Sequence, residues 1–137
     1  MKSTVIMLVV LCMGGSAMAA IHTETVKYKE GATELQGYLA YDDALTGKRP
    51  GVIVVHEWWG LTDHPKKRAE MLAKLGYVAF ALDMYGKSTD DADEAGKLAG
   101  AFRTDADLSL RRFNAGLEVL KQNPRVDPEK IAAIGFC

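Results

Sequence analysis

The chain has 137 residues, 48% of them apolar, with 17 basic and 18 acidic side chains and a net charge of −1. That length and composition suit one globular domain with a real core, and the sequence shows no internal repeat and no low-complexity segment. The charges are well mixed, which excludes the electrostatic footprint of a nucleic-acid partner or an anionic membrane surface.

The first stretch differs from the rest. Lys2 precedes an apolar run from Thr4 to Met13, then Gly14-Gly15-Ser16 and Ala17-Met18-Ala19. A basic start, a short apolar run and a small-x-small ending describe a secretory signal peptide over residues 1–19. A hydrophobic first strand is the alternative, and the Ala-x-Ala ending decides against it. The run is also short of the roughly 20 residues a spanning helix needs. Cleavage is expected after Ala19, or one residue on after Ala20, with a periplasmic or secreted destination. Cys12 would leave with this segment; Leu11 and the early position argue against a lipid-anchored cysteine. The mature chain, residues 20–137, then holds one cysteine, Cys137. An unpaired thiol in an exported protein must be shielded, paired with another chain, or used.

Thr23–Glu30 and Glu34–Tyr41 read as a hairpin turned by Gly31-Ala32, with Val26, Tyr28, Leu35, Gly37, Leu39 and Tyr41 at alternate positions. After a polar loop from Asp42 to Pro50, the β-branched run Gly51–His56 has the pattern of a strand covered on both faces. Asp63–Leu75 is helical, capped by Asp63 or His64 with Pro65 in the first turn, and Gly76 ends it. Ala69, Leu72 and Leu75 share its core face. Tyr77–Leu82 is a second buried strand, closed by Asp83. A short helix lies near Ala95–Phe102. Thr104 caps a longer one whose stripe is Leu110, Phe113, Leu117 and Leu120. Asn123-Pro124 stops that helix, and Val126–Glu129 turns into a last strand, Ile131–Phe136. Helices alternating with fully apolar strands imply a parallel sheet with right-handed crossovers.

Active groups in such sheets gather at the carboxyl ends of the strands. Three ends stand out: His56-Glu57-Trp58-Trp59-Gly60, Asp83-Met84-Tyr85-Gly86, and Gly135-Phe136-Cys137. The last enters a turn as a nucleophile elbow does, with Gly135 read as a position where a side chain would collide with a neighbouring strand or helix. Glu57 beside Trp58 and Trp59 is placed in apolar surroundings that raise its pKa, where it can exchange a proton with a thiol that must become a thiolate to attack. Gly60 lets the backbone turn so that an amide faces a developing oxyanion. For the tryptophans, core packing and pocket wall both remain open; Glu57 on the surface is the alternative to Glu57 in the site.

The segments PGVIVVHEWWG (Pro50–Gly60), LGYVAFALDMYGKS (Leu75–Ser88) and KIAAIGFC (Lys130–Cys137) resemble the dienelactone hydrolase family of α/β-hydrolases, from about Ala20 to Cys137. The resemblance implies the N-terminal part of an α/β-hydrolase fold: a hairpin, then parallel βαβαβ. It implies hydrolysis of esters or lactones of small carboxylated molecules, with no metal and no cofactor. Cys137 matches the nucleophile and Glu57 the carboxylate that partners the resting thiol. The backbone N–H of Trp58 matches one half of the oxyanion hole, and Asp83 matches a strand-end position that shapes the loop toward Tyr85 and Gly86.

The triad order in this fold is nucleophile, acid, histidine. Both later members would lie beyond Cys137, so the sequence reads as a partial domain cut at its nucleophile and inactive as given. Ile131–Phe136 would then be an exposed apolar edge prone to aggregation. His22, His56 and His64 match no triad position. They read as a disordered N-terminal residue, a buried strand-end group and a helix-start residue. Two other functions fit the same residues: an exported binding or interaction protein on a hydrolase fold that has lost catalysis, and a cross-linking thiol at a chain end.

Overall fold

The computed structural model describes residues 20–137; the signal-peptide reading and Cys12 lie outside the described residues. Five strands form one sheet in the order β1-β2-β4-β3-β5. They are β1 (Ile21–Glu30), β2 (Thr33–Asp42), β3 (Arg49–Val55), β4 (Val78–Ala81) and β5 (Val126–Gly135). The hairpin β1–β2 is antiparallel and joins β4 antiparallel, while β4, β3 and β5 run parallel. Helix α1 (Asp63–Lys74) links β3 to β4, and α2 (Ala92–Thr104) and α3 (Ala106–Lys121) link β4 to β5. This is the expected hairpin followed by parallel βαβαβ.

The two-residue period of the central strands sorts the core by size. Leu39, Ile53, Val78 and Phe80 point to one face with Leu82, where Leu120, Phe113 and Leu117 of α3 meet them. Ala40, Val54, Ala79 and Ala81 point to the other, where Ala69 and Ala73 of α1 lie against them. Large residues fill the space under α3; alanines let α1 approach closely. Phe80 is fully buried, and its ring occupies the place where Gly37 lacks a side chain: a Cβ there would meet Cζ at 2.1 Å.

Several local readings change. Helix α1 is capped at Thr62 with no side-chain bond, and it buries Pro65, Ala69 and Ala73 while Leu75 is 73% exposed. Asp105, not Thr104, caps α3, its carboxylate accepting from Leu108 N at 2.8 Å. The Thr104 hydroxyl instead turns back to the carbonyls of Gly100 and Ala101. On α3, Leu110 is exposed, and Arg112 and Gly116 take its place in the buried stripe. Arg112 can be buried because each of its three nitrogens has a partner. It donates to Glu30 Oε2 (2.9 Å), Thr33 Oγ1 (2.9 Å) and the Met84 carbonyl (3.3 Å).

The last strand begins earlier than the turn residues suggest. Val126 and Asp127 already face Arg49 and Pro50; the register then jumps, so that Gly51 faces Ile131. Pro128, with no N–H to give a ladder, sits in that break. Among the described residues β5 pairs beyond it with β3 alone, and Ala132, Ala133 and Ile134 are exposed, as expected of an apolar edge. His22 is ordered rather than loose: it faces Tyr41 in the hairpin register and stacks on that ring at 4.7 Å.

Candidate active site

Three strand ends converge. The ends of β3, β4 and β5 carry His56–Gly60, Asp83–Gly86 and Phe136–Cys137, and all three contribute to one open cavity of about 220 Å³. Its lining includes Glu57, Trp58, Tyr85, Arg103, Phe136 and Cys137. Every candidate named from the sequence, Cys137, Glu57 and Trp58, is therefore brought to one place.

Cys137 is exposed and free, and its backbone φ is +78°. A left-handed conformation costs a non-glycine residue about 1–3 kcal/mol and persists only where the surroundings enforce it. Phe136 N–H reaches back to the Val55 carbonyl at 3.3 Å, extending the β3–β5 ladder up to the turn. The strain therefore falls at the thiol, as in a nucleophile elbow. The reading of Gly135 needs correction: a Cβ there would meet only Val55 Cβ at 3.9 Å, an ordinary contact.

The β3 loop is closed by Gly60 N–H on the Glu57 carbonyl (3.3 Å), with Gly60 at φ +87°. A Cβ at Gly60 would lie 2.4 Å from the Lys87 carbonyl oxygen, so both conformation and space demand glycine. Trp58 and Trp59 pack on each other at 4.7 Å; Trp58 lines the cavity, which settles that residue as wall. Among the described residues the Trp58 amide donates to no acceptor, leaving it free for an oxyanion.

His56 ties two loops together. Its Nδ1 donates to the Glu57 carbonyl (2.6 Å) and its Nε2 accepts from Met84 N (3.1 Å). Burial pulls its pKa below the ordinary histidine value, against the opposing pull of the Glu57 carbonyl and the Asp83 and Glu57 carboxylates. The imidazole is thus a neutral structural bridge, and the reading of His56 as a buried strand-end group holds. Asp83 does what was expected of it. Oδ1 accepts from Tyr85 N (3.0 Å) and Gly86 N (2.8 Å), while Oδ2 accepts from Gln36 N (3.2 Å). The Tyr28 hydroxyl completes the bracket, donating to the Asp83 carbonyl (3.1 Å) and accepting from Asp83 N (3.0 Å). Burial in turn raises the Tyr28 pKa, so the phenol stays protonated.

One residue was undervalued. His64 does sit at the start of α1, but its Nδ1 bonds the Glu57 carboxylate at Oε1. Among the described residues, Glu57 Oε2 is shut off from solvent and has no partner. Helical periodicity could not show this contact, because it crosses from loop to helix over the Gly60 turn. The available signal was an exposed-type histidine seven positions after a loop glutamate.

Cys137, Glu57 and Trp58 meet at the ends of parallel strands, in a fold of the α/β-hydrolase type. A family model, "Dienelactone hydrolase family", matches residues 35–137. The chain belongs to that family. Protein usf of Aquifex pyrophilus is 37% identical over 121 residues, which cover 83% of this chain and 50% of that protein. The crystal structure of a dienelactone hydrolase-like promiscuous phosphotriesterase from metagenomic libraries superposes with a TM-score of 0.83 at 41% identity, covering 86% of this chain and 50% of the other. A further solved structure, named m3DLH, gives a TM-score of 0.83 at 37% identity over the same shares. The chain spans about half the length of the relatives it matches.

Proposed function

We propose that the full-length protein is an exported hydrolase of esters or lactones of small carboxylic molecules, with Cys137 as nucleophile. The observation that carries this reading is the shared cavity: a left-handed Cys137 beside Glu57, whose Oε2 is buried without a partner. In the first step the Sγ–H bond breaks and its proton passes to Glu57. The thiolate attacks the substrate carbonyl carbon, and the carbonyl π pair moves to oxygen, where the Trp58 amide stabilises it. Collapse of that oxyanion breaks the C–O bond, the departing oxygen takes the proton held by Glu57 to leave as the alcohol, and a thioester remains on Cys137. Water then adds its OH to the acyl carbon and gives its other hydrogen to Sγ, releasing the acid and restoring the thiol.

Nothing in these steps calls for a metal or a cofactor, and the partner is a small molecule. Arg103, the cation in the cavity lining, favours a substrate that carries its own carboxylate. Family membership supports the same bond type. His22 stacks on Tyr41, His56 bridges two loops and His64 bonds Glu57 Oε1, so the reading takes its triad histidine from outside residues 20–137. The 137-residue chain by itself is accordingly expected to give no sustained turnover.

The test is a burst experiment on the full-length protein with p-nitrophenyl acetate. A stoichiometric burst of p-nitrophenolate that disappears in Cys137→Ala is the expected result; an undiminished burst in that variant refutes the nucleophile. Export is tested separately by N-terminal sequencing, with Ala20 or Ile21 expected first and Met1 contradicting it.

A further inference from the structure

Helix α1 presents two side chains to the site, and neither belongs to the proposed chemistry. His64 Nδ1 bonds Glu57 Oε1, and Arg68, one helical turn on, donates its Nε–H to His64 Nε2 at 3.2 Å. The second bond decides the first. A guanidinium has no acceptor, so His64 Nε2 must offer a lone pair to Arg68, and the ring proton must sit on Nδ1, facing the carboxylate. The same two residues hold the elbow from below: the His64 ring meets the Phe136 ring at 5.1 Å, and the Arg68 guanidinium lies 5.5 Å above it. Phe136 directly precedes Cys137. One oxygen of Glu57 is thereby occupied and the other left bare.

We propose that Arg68 and His64 form a positioning relay for Glu57, fixing the carboxylate through Oε1 so that Oε2 is the oxygen that receives the Cys137 proton. This rests on the proposed thiol hydrolysis and adds two residues to it. Neither touches the substrate; both act through Glu57. The bond from His64 holds the carboxylate and stops it from swinging toward solvent, which one-fifth of the side chain reaches. The other ionisable groups facing Glu57 are His56, its sequence neighbour, and Tyr85, Arg103 and Cys137 across the cavity.

The test measures single-turnover acylation of the full-length protein by p-nitrophenyl acetate as a function of pH. His64→Ala is expected to slow acylation by about tenfold to a hundredfold, since the carboxylate loses the donor that fixes it. His64→Asn, which keeps an N–H near the Nδ1 position, should recover most of that rate. Adding His64→Ala to Glu57→Gln should cost less than about twofold more, because the relay then has nothing to position. Arg68→Ala, on the surface, should show a smaller change in the same direction, and it carries the test if His64→Ala fails to fold. A full rate in His64→Ala, an additive loss in the double variant, or no recovery in His64→Asn overturns the relay while leaving the hydrolase reading intact. A full rate in Glu57→Gln removes Glu57 as proton acceptor and takes the relay with it, whereas a burst that survives Cys137→Ala removes the hydrolase reading itself.

Discussion

Replacing His56 by alanine tests whether the site loops are held by a neutral buried imidazole. The substitution strips the Met84 N–H of its acceptor, takes from the Glu57 carbonyl one of two donors (Gly60 N–H remains), and empties the edge-to-face contact with Tyr85 at 4.8 Å. The stranded amide costs about 1–3 kcal/mol, less what entering water returns; the lost bond to the carbonyl and the lost ring contact add about 0.5–1.5 kcal/mol each. The expected loss is about 2–5 kcal/mol at pH 7.5, read by urea denaturation of the full-length protein. The pH dependence gives a second, independent reading. Burial holds the folded pKa of His56 below the unfolded value of about 6.5, so below that pH the unfolded chain binds a proton which the folded one refuses. The His56 contribution is therefore fully present above about pH 6.5 and erodes on acidification, by up to ~1.4 kcal/mol per pH unit, until the folded imidazole protonates too. The gap between the native protein and His56→Ala should shrink between pH 7.5 and 5.5. A gap that stays constant or widens over that range, or one below about 0.5 kcal/mol at pH 7.5, refutes the buried-bridge argument.

Three other substitutions separate backbone from side-chain roles. Gly60→Ala forces a side chain onto φ +87° and against the Lys87 carbonyl, so it should cost at least about 2 kcal/mol in denaturation and reduce acylation as well. Trp58→Ala should alter the KM for esters of different size more than it alters the rate with p-nitrophenyl acetate, because the amide that faces the oxyanion survives; equal losses for all esters would place the indole in the chemistry. Gly37→Ala pushes into the fully buried Phe80 ring and should lower stability by about 1–3 kcal/mol without touching the pH profile of acylation, as thermal and kinetic measurements on one preparation would show.

What the sequence made legible follows from periodicity. Period 2 in β2, the β-branched run in β3 and the unbroken apolar run in β4 are direct consequences of which faces are covered, so the succession of strands and helices along the chain was readable. The cavity residues were readable too, because strand ends of a parallel sheet have a known place. Errors arose where neighbouring residues compete for one role. Thr104 and Asp105 are both good caps, and the choice went to the residue whose rival could bond its own helix instead. Arg112 in the buried stripe was invisible to a pattern that expects apolar residues there, since its burial depends on Glu30 and Thr33 about eighty positions away. The His64–Glu57 bond was hidden for a related reason: it depends on the angle at which a loop delivers a helix, which no local pattern encodes.

The hairpin and the β4 loop cannot be inherited independently. Tyr28 and Gln36 grip Asp83, and Arg112 joins Glu30 and Thr33 to the Met84 carbonyl, so residues at the start of the domain fix a loop that lines the cavity about fifty residues later. In recombination between relatives, the polar loop after β2 would look like a natural crossover point, as surface loops usually are. Here a crossover in that loop would take the grip from one parent and the loop from the other. Chimeras joined there should fold poorly or lose activity unless both parents supply matching partners at Tyr28, Gln36 and Asp83, so a shuffled library would carry those positions together as one block.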